Sequence, residues 1–253
     1  MYQFLHIVKL YIKRYSFKDP MALLFLIIMP IIQLVLNLNI GSGDNDLIQN
    51  GYSLSASLNG AAVLAIFQMY CGTTIGDALH SDFSSDIRWR LQAAPISRKT
   101  FILAAGVGGW IYSLLTGILI IGLSYFVFDA DWGNILISVV AFLIISIIAQ
   151  IVGVIAFNLT KTGGAAIGMV ITFGAIMHHA GVLRGINSSL DSMLDYLPQN
   201  LMMDIVRETG TFATGDIRIS NHIIVLIVMM IIALGLAVIT TKMKKSGGKN
   251  VDF

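Results

Sequence analysis

The run Gly76–Thr100, GDALHSDFSSDIRWRLQAAPISRKT, decides how this chain is read. It gathers Asp77, Asp82, Asp86, Arg88, Trp89, Arg90, Arg98 and Lys99 between two segments, Leu58–Ile75 and Phe101–Phe128, that contain no charged residue. Charge confined to an island between long apolar runs marks a loop joining two membrane crossings, because an ionised side chain is costly in hydrocarbon. The composition agrees: 56% of the 253 residues are hydrophobic and 12% charged. Mean hydropathy is +0.81, well outside the balance of a soluble globular domain.

Outward from the island, a transmembrane helix needs about 20 mostly apolar residues to cross a hydrocarbon core of roughly 30 Å. Six segments qualify: 21–40, 58–75, 101–128, 132–159, 163–182 and 222–241. Ahead of them, Met1–Lys18 places Leu5, Val8, Ile12 and Tyr15 on one helical face and His6, Lys9, Lys13 and Arg14 on another, which suits a helix lying in the membrane interface. Its basic residues interleave with apolar ones and so do not form a cleavable leader, and the N-terminus is expected to stay in the mature chain. The predicted fold is all-α, one transmembrane domain over residues 1–253.

Lys and Arg near segment ends favour the cytoplasmic side. Thirteen of the sixteen basic residues fall on one set of segments: Lys9, Lys13, Arg14 and Lys18, the four of the 77–100 loop, Lys161, and Lys242, Lys244, Lys245 and Lys249. The opposite loops hold Arg184, Arg207 and Arg218 with most of the acids, including Asp44, Asp46, Asp129, Asp131, Asp204 and Glu208. Six spans with both termini cytoplasmic satisfy this division. In the last external loop, 183–221, Leu190, Met193, Leu194 and Leu197 keep helical spacing, and Leu201, Met202, Ile205 and Val206 resume it. Two short amphipathic helices with a break at Pro198-Gln199-Asn200 are predicted, capping the bundle or dipping into the outer leaflet.

Catalytic patterns are scarce. No GxxxxGK[ST] phosphate loop and no HExxH zinc motif occurs. His178-His179 can be read as metal ligands or proton carriers, with an intramembrane hydrolase using either residue as the enzyme alternative, or as an interfacial pair satisfied by water; neighbouring side chains on a helix point about 100° apart. Cys71 is the single cysteine, so there is no disulfide framework or cysteine zinc site. A net charge of +2 does not point to nucleic acid. The spans nearly lack ionisable residues, which argues against a carboxylate-driven antiporter and requires energy from outside the bilayer. Among neutral polar residues, Gln33 and Asn37, one turn apart, and Gln68 are the candidates for a substrate pathway; interhelical hydrogen bonding is their other reading. Gly164 and Gly168 form a GxxxG pair for close packing within the chain or between subunits.

Layout and loop together resemble ABC-2 type permeases, the membrane subunits of ATP-binding-cassette exporters. In that family an acidic residue opens a helix after the second span, and a Pro-hydrophobic-Ser-Arg run ends it. Here Asp82 takes the acidic place, Leu91 lies one turn before Pro95, and Pro95-Ile96-Ser97-Arg98 completes the run. Asp86-Ile87 stands where Gly-Thr is common and Ser84 where a second acid is often found, while Pro198 resembles the external helical break.

The resemblance implies six helices per subunit, a second identical or homologous permease subunit, and a cytosolic ABC ATPase that supplies ATP and Mg. No cofactor is expected on this chain. It implies a coupling helix over 82–94, with Asp82, Asp86, Arg88, Trp89, Arg90 and Leu91 toward the ATPase. It also implies an external gate at Leu194, Pro198 and Leu201, subunit packing at Gly164 and Gly168, and residence in the cell membrane. Uncharged, methionine-containing spans suit a hydrophobic or amphipathic cargo, such as a peptide toxin or bacteriocin, a lipid-linked molecule or a drug. A non-transporting immunity or sensor protein that binds a peptide at Leu183–Asn221 is a further alternative.

Overall fold

The second apolar segment becomes the axis of the bundle. A computed structural model describes residues 2–17, 27–41, 46–84, 97–179, 192–215 and 218–247. Among them the helices are α1 (Tyr2–Phe17), α2 (Met29–Gly41), α3 (Leu54–Tyr70), α4 (Gly72–Ser84), α5 (Arg98–Phe128), α6 (Ile135–Leu159), α7 (Gly163–His179), α8 (Pro198–Thr209) and α9 (Ile219–Gly247). A hairpin of two short strands, β1 (Ile48–Gln49) and β2 (Tyr52–Ser53), precedes α3. Four helical stretches are long and apolar enough to cross a membrane: Leu54–Phe83, Arg98–Phe128, Ile135–Leu159 and Ile219–Lys244. Met29–Leu38 and Gly163–His179 are shorter apolar helices; residues 18–26 and 180–191, which the first and fifth predicted spans share, lie outside the described residues.

The axis is α3 and α4 in line, interrupted at Cys71. Ser53 caps the start of α3, its hydroxyl accepting the Ala56 N–H at 2.9 Å. At the interruption the Cys71 carbonyl accepts the Thr74 hydroxyl at 2.7 Å and the Gln150 side-chain amide at 3.5 Å. A carbonyl freed inside a membrane helix needs such partners, because no water is at hand to replace the lost helical bond. Glycine makes the neighbouring contact feasible. A Cβ on Gly72 would overlap the Ala149 carbonyl oxygen, and one on Gly153 would overlap the Gly72 carbonyl oxygen, so the backbones of α4 and α6 touch there.

Around this axis pack α2, α5, α6, α7 and α8. Leu64, Met69, Ile75 and Leu79 from the axis, Ile120 from α5, Ile145 and Phe157 from α6, and Leu201 and Met202 from α8 are fully buried. The most apolar window of the axis is 72% buried, against 17% for that of α9. Helix α9 rests mainly on α6 and turns Ile224, Val228, Ile231 and Ile232 outward, a surface suited to lipid.

Four features differ from the sequence reading. Helix α1 is rotated: Ile7, Val8, Tyr11 and Tyr15 are buried while Leu5 is 57% exposed, because Tyr11 has a polar partner inside the protein. The second span does not stop where the charges begin; Asp77–Ser84 continues α4, with Ala78 and Leu79 buried. The helical break in the last external loop precedes Pro198, which sits at the first position of α8, where its missing N–H costs nothing. The hairpin was not foreseen, although Asn50 and Gly51, with φ of 55° and 83°, are the residues that a tight primed turn selects.

If the α4–α6 contact sets the packing, Gly153→Ala should destabilise the protein by about 1–3 kcal/mol through overpacking, despite the better helix propensity of alanine. Gly235→Ala, at a position on α9 with open space around it, should be neutral or stabilising by up to about 1 kcal/mol. Thermal unfolding in detergent compares the two.

Candidate functional site

At the end of the bundle that carries the charged island, α4 brings Asp82 against α1. One carboxylate oxygen accepts the Tyr11 hydroxyl at 2.5 Å and the other accepts Arg14 Nη1 at 2.9 Å. Tyr11 stacks on Tyr15, whose ring meets Tyr112 of α5 at 6.3 Å. Gly108 of α5 leaves room for this, since a Cβ there would crowd the Tyr11 Cβ and the Val8 carbonyl. Burial, then the Asp82 charge, pushes the Tyr11 phenol far up. Burial disfavours the Arg14 cation, but the Asp82 charge and hydrogen bond outweigh it and hold its pKa above the ordinary value. The clamp therefore sets a neutral phenol and a guanidinium cation on the Asp82 carboxylate, and it ties α1 to the end of the axis.

Next to it lies an aromatic floor. Phe83 of α4 meets Phe101 of α5 edge-on and packs against Phe157 of α6. His80 stands edge-on to Phe157, with Nε2 2.9 Å from the Thr160 hydroxyl. That hydroxyl donates to the Ala156 carbonyl, so His80 must be the donor in the pair and is the Nε2–H tautomer. Ser97 caps α5 by accepting the Thr100 N–H at 3.2 Å, and the Arg98 guanidinium lies 5.0 Å from the Phe83 ring centre. The Ser-Arg pair of the 95–98 run thus starts the third span and reaches back to the second. Asp86, Arg88, Trp89, Arg90 and Leu91 lie outside the described residues.

The remaining candidates separate by environment. Gln68 is fully buried and its amide donates to the Ser113 carbonyl at 3.1 Å, joining α3 to α5. Gln33 and Asn37 are half-buried and bonded to each other at 3.0 Å on α2, beside the exposed Ile32, Val35 and Leu36. Gly164 and Gly168 have open space where a Cβ would stand, so neither serves packing within the described chain. Leu194, Pro198 and Leu201 are buried, with α8 seated on α3 and the Asn200 amide donating to the Leu194 carbonyl at 2.7 Å. The His178 and His179 rings meet edge to face at 4.7 Å, and no three His, Cys, Asp or Glu among the described residues gather as a metal site.

Sequence reasoning missed the Tyr11–Arg14–Asp82 clamp. The available signal was the three-residue spacing of Tyr11 and Arg14, which places both on one face.

The opposite end is latched by two acids. Asp131 accepts the N–H groups of Gly133 and Thr211, joining the α5–α6 turn to the segment after α8. Glu208 accepts the Thr214 N–H and hydroxyl, the Gly215 N–H and the Arg207 guanidinium. Burial raises both carboxyls, but the bonds from Thr211 and Gly133, and from Thr214, Gly215 and Arg207, prevail and hold each below its ordinary value.

A helical bundle with exposed apolar helices, one end of it tied to α1, defines a multi-pass membrane protein. The sequence matches the family model described as ABC-2 family transporter protein over residues 8–239, and the chain belongs to that family. These permeases are membrane transport components, not themselves catalytic, and usually work with an ATPase partner. No curated protein matches the sequence.

Asp82→Asn should weaken the docking of α1 by about 2 kcal/mol, the scale of a hydrogen bond to a charged group, and Tyr11→Phe by about 1 kcal/mol. Amide exchange in α1 reads both. At the other end, the Glu208 carboxyl is depressed in the folded state, so its contribution is complete above its ordinary value of 4.5 and is lost as pH falls through the lower folded value. Exchange at the Thr214 and Gly215 amides should accelerate over that acid range and not in Glu208→Gln, which is already loosened.

Proposed function

We propose that this chain is the membrane subunit of an ABC exporter, and that it converts ATP hydrolysis by a separate cytosolic ATPase into outward movement of a hydrophobic or amphipathic cargo. The reading has six spans with both termini in the cytoplasm of a cell whose plasma membrane it crosses. A second permease subunit, identical or homologous, completes the pathway, and ATP and Mg are held by the ATPase alone.

The observation that supports it best is the continuity from Leu54 to Ser84. The same helical rod that is broken and glycine-packed at Cys71–Gly72 inside the bundle ends at Asp82, clamped to α1 by Tyr11 and Arg14. Coupling requires an element that both sites can bias. A push on residues 82–94 from an ATPase would move α4 and α1 together and act on the bundle at the Gly72–Gly153 contact. Asp86, Arg88, Trp89, Arg90 and Leu91 would form the rest of that contact surface.

Gly164 and Gly168 open outward on α7, which favours their use between subunits. The Gln33–Asn37 pair offers amide hydrogen bonds on a half-exposed apolar helix, a setting suited to a peptide or lipid-linked cargo. Leu194, Pro198 and Leu201 at the start of α8 would close the outer end.

Copurification with an ATPase tests the subunit assignment. In vesicles holding the permease and that ATPase, Asp82→Arg should cut cargo movement at least tenfold, and Arg14→Asp in the same chain should restore most of it. Unchanged transport in Asp82→Arg would remove the clamp from the coupling route.

A further inference from the structure

Two cations meet over one aromatic ring at the end of the bundle that holds the clamp. The Lys244 ammonium stands 3.6 Å from the Phe157 ring centre and the Arg98 guanidinium 6.0 Å from it. They come from different helices, α9 and α5, while the ring belongs to α6. Lys244 gives one hydrogen to the Phe157 carbonyl at 2.5 Å, which leaves two of its three donors. Like charges converging on a half-buried spot repel one another, and a ring face compensates each by about 1 kcal/mol at most in an exposed setting.

The acids of this end are engaged elsewhere among the described residues. Asp82 is bonded to Tyr11 and Arg14, and the Asp77 carboxylate lies against Gly163 at the start of α7. His80 also faces Phe157 and donates its Nε2–H to the Thr160 hydroxyl. Beside Lys244 on α9 the surface is apolar: Ile239 and Met243, one turn apart, are 54% and 59% exposed. A positive notch at the membrane rim that runs into an exposed apolar face matches one chemistry, a phosphate head carried on acyl chains.

We infer that Arg98 and Lys244, above the floor of Phe83 and Phe157, bind the phosphate headgroup of an anionic phospholipid whose chains lie along α9 beside Ile239 and Met243. The bound phosphate relieves the repulsion between the two cations and bridges the ends of α5, α6 and α9. The inference requires only that these helices cross a bilayer; the orientation proposed above decides which leaflet supplies the lipid, here the cytoplasmic one.

Native mass spectrometry of the detergent-purified chain with phosphatidylglycerol and phosphatidylcholine tests it. One phosphatidylglycerol should stay bound in preference to phosphatidylcholine and resist millimolar inorganic phosphate. Arg98→Gln with Lys244→Gln should weaken it roughly thirtyfold, the worth of two cations at a lipid surface. Lys244→Arg, which keeps the charge, should retain the lipid. Lys99→Gln with Lys242→Gln removes equal charge from exposed neighbours and should also retain it. Equal retention of the two lipids, displacement by inorganic phosphate, or equal loss in the Lys99 and Lys242 variant would each overturn the site.

Discussion

Two glycines in contact, Gly72 on α4 and Gly153 on α6, set the geometry from which the rest follows. Their backbones meet where the axis helix is interrupted, so the carbonyl of Cys71 turns to Thr74 and Gln150 instead of completing the helical ladder. Gln150 in turn lies against Gly109 of α5, where a Cβ would crowd its side-chain oxygen. Three membrane helices are thus fixed by small residues and one amide. In hydrocarbon, where burying apolar surface gives no advantage over lipid, such close approach and internal hydrogen bonding are the main attractions between helices.

From that point the axis reaches both ends of the molecule. Toward the β1–β2 hairpin it begins at the Ser53 cap, and the Ser57 hydroxyl accepts the N–H of Asp131, whose carboxylate holds the segment after α8. Toward the charged island it ends at the Asp82 clamp. The two ends are therefore joined by one helical rod with a turn at Cys71, where the backbone bonds shorten to the Thr74 N–H reaching the Cys71 carbonyl at 3.3 Å. That arrangement gives the proposed coupling a physical route without requiring any charge inside the spans.

Much of this was legible in the sequence. Apolar runs separated by the 77–100 island gave the all-α membrane class, and the Pro95–Arg98 run pointed to the family that residues 8–239 match. The spacing of Leu201, Met202, Ile205 and Val206 correctly gave the buried face of α8. What stayed hidden depended on contacts between distant segments. Hydropathy could place α1 at the interface, but only Asp82, 68 residues away from Arg14, decides which face turns inward. The charges of Asp77 and Asp82 suggest the end of the second span, yet the helix continues because Ala78 and Leu79 still have helices to pack against. Gln68 read equally as a pathway residue or a packing residue; its bond to Ser113 could not be inferred from its position in the chain. The Asn50-Gly51 turn, in contrast, was readable and was passed over because the surrounding segment is so short.

Helix α9 is held by polar contacts near both extremities and by apolar packing on α6 between them, where Leu226 is fully buried. His222 meets Asp204 at 3.4 Å at one end, and Asn158 bonds to Thr241 at 2.9 Å toward the other, just before Lys244. A helix held at two levels keeps a fixed apolar length between them, and a bilayer of another thickness must deform, or the helix tilt, to match it.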